Sequence, residues 1–281
     1  MQDLLERVLA IAYSAGEAIM AVYGREFRVE LKDDNSPLTE ADQAAHRVIM
    51  RGLQALPQQL PVLSEEDVDG FAGIDSAGRY WLVDPLDGTK EFIKRNDEFT
   101  VNIALIQNGK PVLGVVTAPA LGVAYLAAEG VGAFKIANGK RRPIHVAGKP
   151  NVGSEWRVMA SRSHASPDVT AWLATLGRHK LQPMGSSLKF GVIAEGRADV
   201  YPRLGPTCLW DTAAAHAIVL QAGGRVENLQ GEPLSYANPA EKLNPDFVVW
   251  GHYTASAPQT LFHSKSIPVS RFSSRSLSLA I

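Results

Sequence analysis

Leu4, Leu5, Val8, Leu9, Ala12, Ala15 and Ile19 recur three and four residues apart, which predicts a helix with one apolar face that stops near Gly24. After a polar stretch, KDDNSP, Thr39 is placed to cap a second helix running through Val48, Ile49, Leu53 and Leu56 until Pro57. The period then changes. Short apolar runs at 61–63 and 80–83 predict strands, and residues 99–107 and 112–117 flank Asn108-Gly109, a strong hairpin signal. A strand at 123–128 precedes Gly130, and Asn138-Gly139 marks another turn. To about residue 145 the chain thus reads as two helices followed by a largely antiparallel sheet.

Beyond that point the pattern alternates. Strands are expected at 156–160, 199–201 and 247–250, and helices at 167–176, 188–194 and 212–221. Such alternation argues for layered α/β packing. Three segments follow: an N-terminal α+β half (1–145), a C-terminal α/β half (146–253) and a tail (254–281) with eight serines and no acid. With 281 residues against roughly 100–200 per domain, one large domain or two intimately packed halves both fit.

Composition and charge exclude several classes. At 46% hydrophobic and 20% charged residues, disorder is ruled out. Lys+Arg at 28 against Asp+Glu at 29 leaves no basic excess for a nucleic-acid partner. Between Lys110 and Glu129 no residue is charged, a length that could cross a membrane, but Pro111, Gly114, Pro119 and Gly122 interrupt it. Two strands and a turn account for it better. The single cysteine, Cys208, permits no intrachain disulfide; it reads as a structural thiol in a reducing, cytoplasmic setting. The first twenty residues lack the basic start of a signal peptide.

Candidate chemistry concentrates in WLVDPLDGTKEF, residues 81–92. Pro85 is expected to stop strand pairing, leaving Asp84 and Asp87 on a sharp turn at a strand end. Gly88 lets the backbone approach a ligand, and the following amides can point at an anion. DP and DG are each ordinary turn chemistry. Fused after an apolar strand, they suit a hard divalent cation that also touches phosphate. Ser64-Glu65-Glu66-Asp67 follows another strand and is either a solvated acidic loop or a ligand source. Asp211 in WDTAA reads as a helix cap that can also face a metal, and Asp42, three residues after Thr39, fits a capping box equally well.

Competing constellations fail. No G-x-G-x-x-G opens a helix after a strand, Gly148-Lys149-Pro150 lacks the rest of a P-loop, and no G-x-S-x-G elbow exists. The seven histidines show no zinc spacing, and His216 in its Ala-rich helix reads as core.

Taken in order, the first helix, SPLTEAD, SEE, WLVDPLDGTKEF, GSSLKF and WDTAAAHAIVLQAGG resemble the inositol monophosphatase family of metal-dependent, lithium-sensitive phosphatases over residues 1 to about 252. DGTKEF followed by NDEFTVNIALI, with SRSH and GSSLKF, resembles its 3'(2'),5'-bisphosphate nucleotidase branch. The serine-rich extension is not a family feature.

The resemblance implies an α/β (α+β) fold, a layered α-β-α-β-α sandwich with the active site between its halves. It implies metal ligands at Glu65, Asp84, Asp87 and Asp211 and the Leu86 carbonyl, binding two or three Mg2+ ions, with inhibition by Li+. Asp42 and Thr89 match the pair that orients and deprotonates the attacking water. Gly88 and Thr89 match phosphate contacts; His164, Gly185, Ser186, Lys189 and Arg203, with Asp211, match positions that hold the rest of the substrate. The implied reaction removes the 3'-phosphate of 3'-phosphoadenosine 5'-phosphate, with its 5'-phosphosulfate as a candidate second substrate, in sulfur assimilation and nucleotide recycling. An inositol or sugar phosphate monophosphatase is the alternative on the same scaffold, and a non-catalytic phosphate-ligand sensor the remote one. A monomer or homodimer is expected. Lys265, Arg271 and Arg275 leave loose attachment to a membrane surface open.

Overall fold

The computed structural model describes residues 1–27, 29–31, 37–162 and 167–252. His164 and the whole serine-rich tail, with its three basic residues, lie outside the described residues. Helix α1 (Gln2–Tyr23) buries Leu5, Val8, Leu9, Ala12, Ala15 and Ile19, most of the face its periodicity predicts, and Gly24 follows it. An antiparallel pair, β1 (Val29–Leu31) and β2 (Pro37–Thr39), leads into α2 (Glu40–Gln54). The Thr39 hydroxyl caps that helix by accepting the Ala41 N–H at 3.2 Å.

A seven-stranded sheet comes next, in chain order across its width: β3 (Val62–Ser64), β4 (Arg79–Asp87), β5 (Thr100–Gln107), β6 (Lys110–Ala118), β7 (Val123–Ala128), β8 (Gly132–Ala137) and β9 (Lys140–Pro143). Only the β3–β4 pairing in it is parallel. Short helix α3 (Thr89–Ile93) is inserted after β4. Asn108-Gly109 and Asn138-Gly139 each have positive φ at both residues, the geometry of two-residue hairpin turns that match strand twist. The uncharged stretch forms β6 and β7, and among the described residues no helix is long and apolar enough to cross a membrane.

The remaining elements are β10 (Trp156–Ser161), α4 (Pro167–Leu176), β11 (His179–Met184), α5 (Leu188–Ala194), β12 (Val200–Arg203), α6 (Leu209–Gln221), β13 (Arg225–Asn228) and β14 (Phe247–Trp250). Their strands form a mixed sheet in the order β11-β10-β12-β14-β13. Strands β11 and β13 carry no continuous apolar run, so periodicity does not mark them.

Hydrophobic packing stacks these pieces into five layers. Helices α1 and α2 cover one face of the large sheet, against Trp81, Val83, Val101, Ile103 and Val115. On its other face Tyr80, Leu82, Ala104 and Val116 meet Ala213, Ala214 and Ile218 of α6. Helix α5 lies beside α6 and packs on the small sheet, whose outer face takes α4 through Val158, Leu173, Val200 and Val248. The result is the α-β-α-β-α sandwich expected. The alanines of α6 permit close approach: a Cβ added at Gly114 of β6 would stand 2.1 Å from the Ala214 carbonyl oxygen. This seats the start of α6 over the end of β4.

Candidate active site

Strand β4 does not stop at Pro85. Asp84 pairs with Asn102, and pairing resumes with Asp87 opposite Thr100, so three steps on β4 match two on β5. Pro85 has no N–H for the ladder, and a bulge absorbs the extra residue, so the turn expected at Pro85 is replaced by a kinked but continuing strand. The bulge has a chemical consequence. Side chains three apart in a regular strand point to opposite faces. One extra residue restores the parity, and Asp84 and Asp87 both line the same cleft on the α6 side.

Glu65 and Asp211 come to this point from elsewhere. Parallel pairing of Ser64 with Val83 sets Glu65 beside Asp84, and the Glu65 N–H donates to the Val83 carbonyl at 3.1 Å. Helix α6 starts earlier than the pattern suggests: Cys208 is its N-cap, and Asp211 is the third helical residue rather than the cap. Asp211 Oδ2 accepts the Cys208 N–H at 2.9 Å, because a carboxylate at this position reaches back to the orphan amide. Glu65, Asp84 and Asp211 offer carboxylate oxygens that all lie within 4.8 Å of one another.

Such crowding is electrostatically unfavourable without a counter-charge. Burial pushes the Asp84 carboxyl well above the usual carboxylate range, and Glu65, Asp87, Asp211 and Asp42 push it further. Burial also raises Asp211, with Asp87 and Glu65 adding to it, while the Cys208 amide and Arg203 oppose the rise. An all-oxygen set of crowded carboxylates fits a hard divalent cation.

Both carboxylate oxygens of Asp42 have partners. Its Oδ2 accepts the Thr39 N–H at 2.8 Å and the Thr39 hydroxyl at 2.6 Å, closing the capping box. Its Oδ1 stands 3.4 Å from the Thr89 hydroxyl, which is also 3.3 Å from the Leu86 carbonyl oxygen. Thr89 opens α3 directly after Gly88, whose φ of 91° is left-handed. A Cβ at Gly88 would also meet the Glu98 carbonyl at 3.1 Å and the Ser186 Cβ at 3.3 Å, so the loop needs glycine here.

The cleft, of about 280 Å³, is lined from the N-terminal half by Glu65, Asp84, Leu86, Asp87, Gly88 and Thr89. From the C-terminal half it is lined by Gly185, Ser186, Lys189, Arg203 and Asp211. Every predicted site residue within the described residues is therefore gathered at or beside one cleft. Ser186 has φ of 47°, an uncommon conformation for a non-glycine residue and one that clusters at ligand sites. Lys189 is buried and donates to the carbonyls of Ser186 at 2.5 Å and Met184 at 3.3 Å. Burial pulls its ammonium down to about 8, opposed by Asp87 and assisted by Arg203. Arg203 donates to the Pro206 carbonyl at 2.8 Å, and its buried Nε has no partner among the described residues.

Several site residues fall inside motifs and strands without a pattern that singles them out. Phe190, Tyr201 and Phe247 wall the cleft beside Lys189 with ring centroids 5.8–6.2 Å apart, and each reads in the sequence as plain core. Ser187 and Asn102 bond to the acid cluster but look like turn and ladder residues. Glu98 accepts Arg162 in bidentate fashion and the Gly185 N–H at 2.7 Å, tying both halves together at the cleft mouth.

A sequence profile of the inositol monophosphatase family matches residues 1–263. The chain is 53% identical to the 3'(2'),5'-bisphosphate nucleotidase CysQ of Escherichia coli strain K12, covering 88% of this chain and 99% of that protein. It is 38% identical to the protein of the same name from Haemophilus influenzae, over 89% of this chain and 93% of the other. A crystal structure of CysQ from Bacteroides thetaiotaomicron superposes with a TM-score of 0.77 at 40% identity, covering 90% and 99% of the two chains. With its five layers and its carboxylate cluster between the sheets, the chain belongs to the inositol monophosphatase family of metal-dependent phosphatases.

Proposed function

We propose that this protein is a magnesium-dependent 3'(2'),5'-bisphosphate nucleotidase that removes the 3'-phosphate of 3'-phosphoadenosine 5'-phosphate, leaving AMP and phosphate. The observation that carries the reading is the pairing, in one cleft, of an acidic cluster with two cationic side chains, Lys189 and Arg203. A monophosphate needs only the first; a second phosphate gives the cations a partner. The names of relatives at 53% and 38% identity support the same substrate class.

In this reading Glu65, Asp84, Asp87, Asp211 and the Leu86 carbonyl hold Mg2+, in two or three ions, and Li+ inhibits by competing there. The bound cation would acidify the attacking water and offset charge on the phosphoryl group. The residues themselves do the rest. Asp42 Oδ1 takes the proton that Thr89 passes from water, while Oδ2 stays fixed by the Thr39 cap, so the base cannot rotate away. The Gly88–Thr89 backbone contacts the phosphate to be cleaved. Lys189 and Arg203 orient the other phosphate, with Gly185, Ser186 and His164 completing the nucleotide contacts.

Phosphate release with Mg2+ from 3'-phosphoadenosine 5'-phosphate and from inositol 1-phosphate tests the assignment. A hundredfold preference in kcat/KM for the nucleotide, about 2.7 kcal/mol in transition-state binding, is expected. The reverse preference would reassign the pocket to an inositol or sugar phosphate. Metal binding without turnover of either would make the protein a ligand sensor.

A further inference from the structure

Asp87 and Asp211 reach the acid cluster from different halves of the chain, and one side chain touches both residues. Ser187 lies between the Gly185-Ser186 turn and α5 and is 2% exposed. Its backbone N–H donates to Asp87 Oδ2 at 2.6 Å, and its hydroxyl stands 2.8 Å from that same oxygen. The hydroxyl is also 2.8 Å from the Asp211 backbone carbonyl oxygen, and it accepts the Asn102 side-chain amide at 2.8 Å. Asn102 in turn is the register partner of Asp84 on β5, and its Oδ1 accepts the Thr100 hydroxyl at 3.0 Å.

We propose that Ser187 is a positioning residue of the metal centre, setting the separation between the Asp87 and Asp211 carboxylates. The inference rests on the reading that Asp84, Asp87 and Asp211 hold the cation. A hydroxyl has one hydrogen and can accept as well. Asn102 donates to the Ser187 hydroxyl oxygen from behind, and the one hydroxyl hydrogen faces two acceptors, Asp87 Oδ2 and the Asp211 carbonyl, each at 2.8 Å. The contacts to Asp87 from Ser187, Thr100 and Asn102 all go to Oδ2, which leaves Oδ1 for the cation. Without the hydroxyl, the Asn102 amide and the Asp211 carbonyl each lose a partner, and Asp87 Oδ2 keeps only the Ser187 N–H at 2.6 Å and two longer contacts, from Thr100 at 3.4 Å and Asn102 at 3.5 Å. Carboxylates that repel one another then relax apart, and the cation must gather them again. Loss of an outer partner of a metal ligand typically weakens binding about 10–100-fold.

The test is Mn2+ binding to the full chain without substrate, read from the electron paramagnetic resonance signal of unbound Mn2+. Asp84→Asn and Asp211→Asn are the references and are expected to lose tight binding. Ser187→Ala is expected to weaken binding about tenfold or more, with a melting temperature in chelator close to wild type. Its turnover at saturating Mg2+ should fall less than its affinity for Mg2+. Asn102→Ala, expected to shift affinity in the same direction, decides the matter if Ser187→Ala does not fold. Wild-type affinity in Ser187→Ala, or in Asn102→Ala where that variant decides, overturns the positioning role when the aspartate references lose binding. Wild-type affinity in the references overturns the metal-site reading itself.

Discussion

Asp84 is 1% exposed, with other carboxylates around it, so either a proton or a cation must neutralise it. Its folded-state pKa is raised above the unfolded value, so the metal-free folded protein holds a proton that the unfolded chain releases. Stability of the metal-free form therefore falls as pH rises above the ordinary carboxylate range. Asp84→Asn removes that penalty: in chelator at pH 7.5 it should melt above wild type, with the gap closing as pH falls toward about 4. The same variant should lose both turnover and stabilisation by Mg2+. A melting temperature at or below wild type in chelator would mean the carboxylate is not strained when metal-free. Lys189 titrates in the opposite sense. With its ammonium near 8, the charge it would offer to a second phosphate is lost above that pH. The kcat/KM for the nucleotide bisphosphate should fall above about pH 8, and Lys189→Ala should remove this break while sparing a small monophosphate. Profiles of identical shape in wild type and Lys189→Ala would place Lys189 outside substrate recognition.

At the scale of elements, the decisive feature is the bulge that carries β4 past Pro85 and turns Asp84 and Asp87 to one side. Gly88 completes it, with a left-handed φ and two neighbours inside ordinary contact distance. Gly88→Ala should lower stability by about 1–2 kcal/mol from backbone strain alone, and should reduce turnover more than Mg2+ affinity because Thr89 moves with it. Chemical denaturation and steady-state kinetics check the two halves of that statement. This region also marks how far sequence patterns reach. The α1 face, the Thr39 cap, both Asn-Gly turns and the DPLDGT cluster are local signals, set by spacing and turn chemistry within a few residues. The parity of Asp84 and Asp87 depends on pairing with β5, which a single strand does not encode. Asp211 sits at the third position of α6 because helix formation begins at Leu209, where the Lys242 carbonyl accepts the Leu209 N–H at 2.8 Å. Ser187 matters only because α5 brings it to Asp87, one hundred residues away in the chain.

Across the whole molecule, the proposed metal centre depends on the two sheets being held at the right separation by α6. That helix lies against β4 to β8 and carries Asp211 at its start, so its distance from the large sheet sets how far Asp211 stands from Asp84. At Gly114 an added Cβ would collide with backbone at Ala214, which cannot rotate away as a side chain would. Gly114→Ala should therefore lift α6, lowering stability by about 1–3 kcal/mol through overpacking. Asp211 lies three residues before the contact on the same rigid helix, so the lift should also weaken Mn2+ binding with every ligand still present. Gly148→Ala, at a position where an added Cβ meets nothing within 4 Å, is the matched control and should change neither quantity. If Gly114→Ala is destabilised but binds Mn2+ as wild type does, the start of α6 is held from the small sheet's side instead. There Asn244 donates to the Cys208 carbonyl at 2.7 Å, and the centre would follow that anchor rather than the helix–sheet distance.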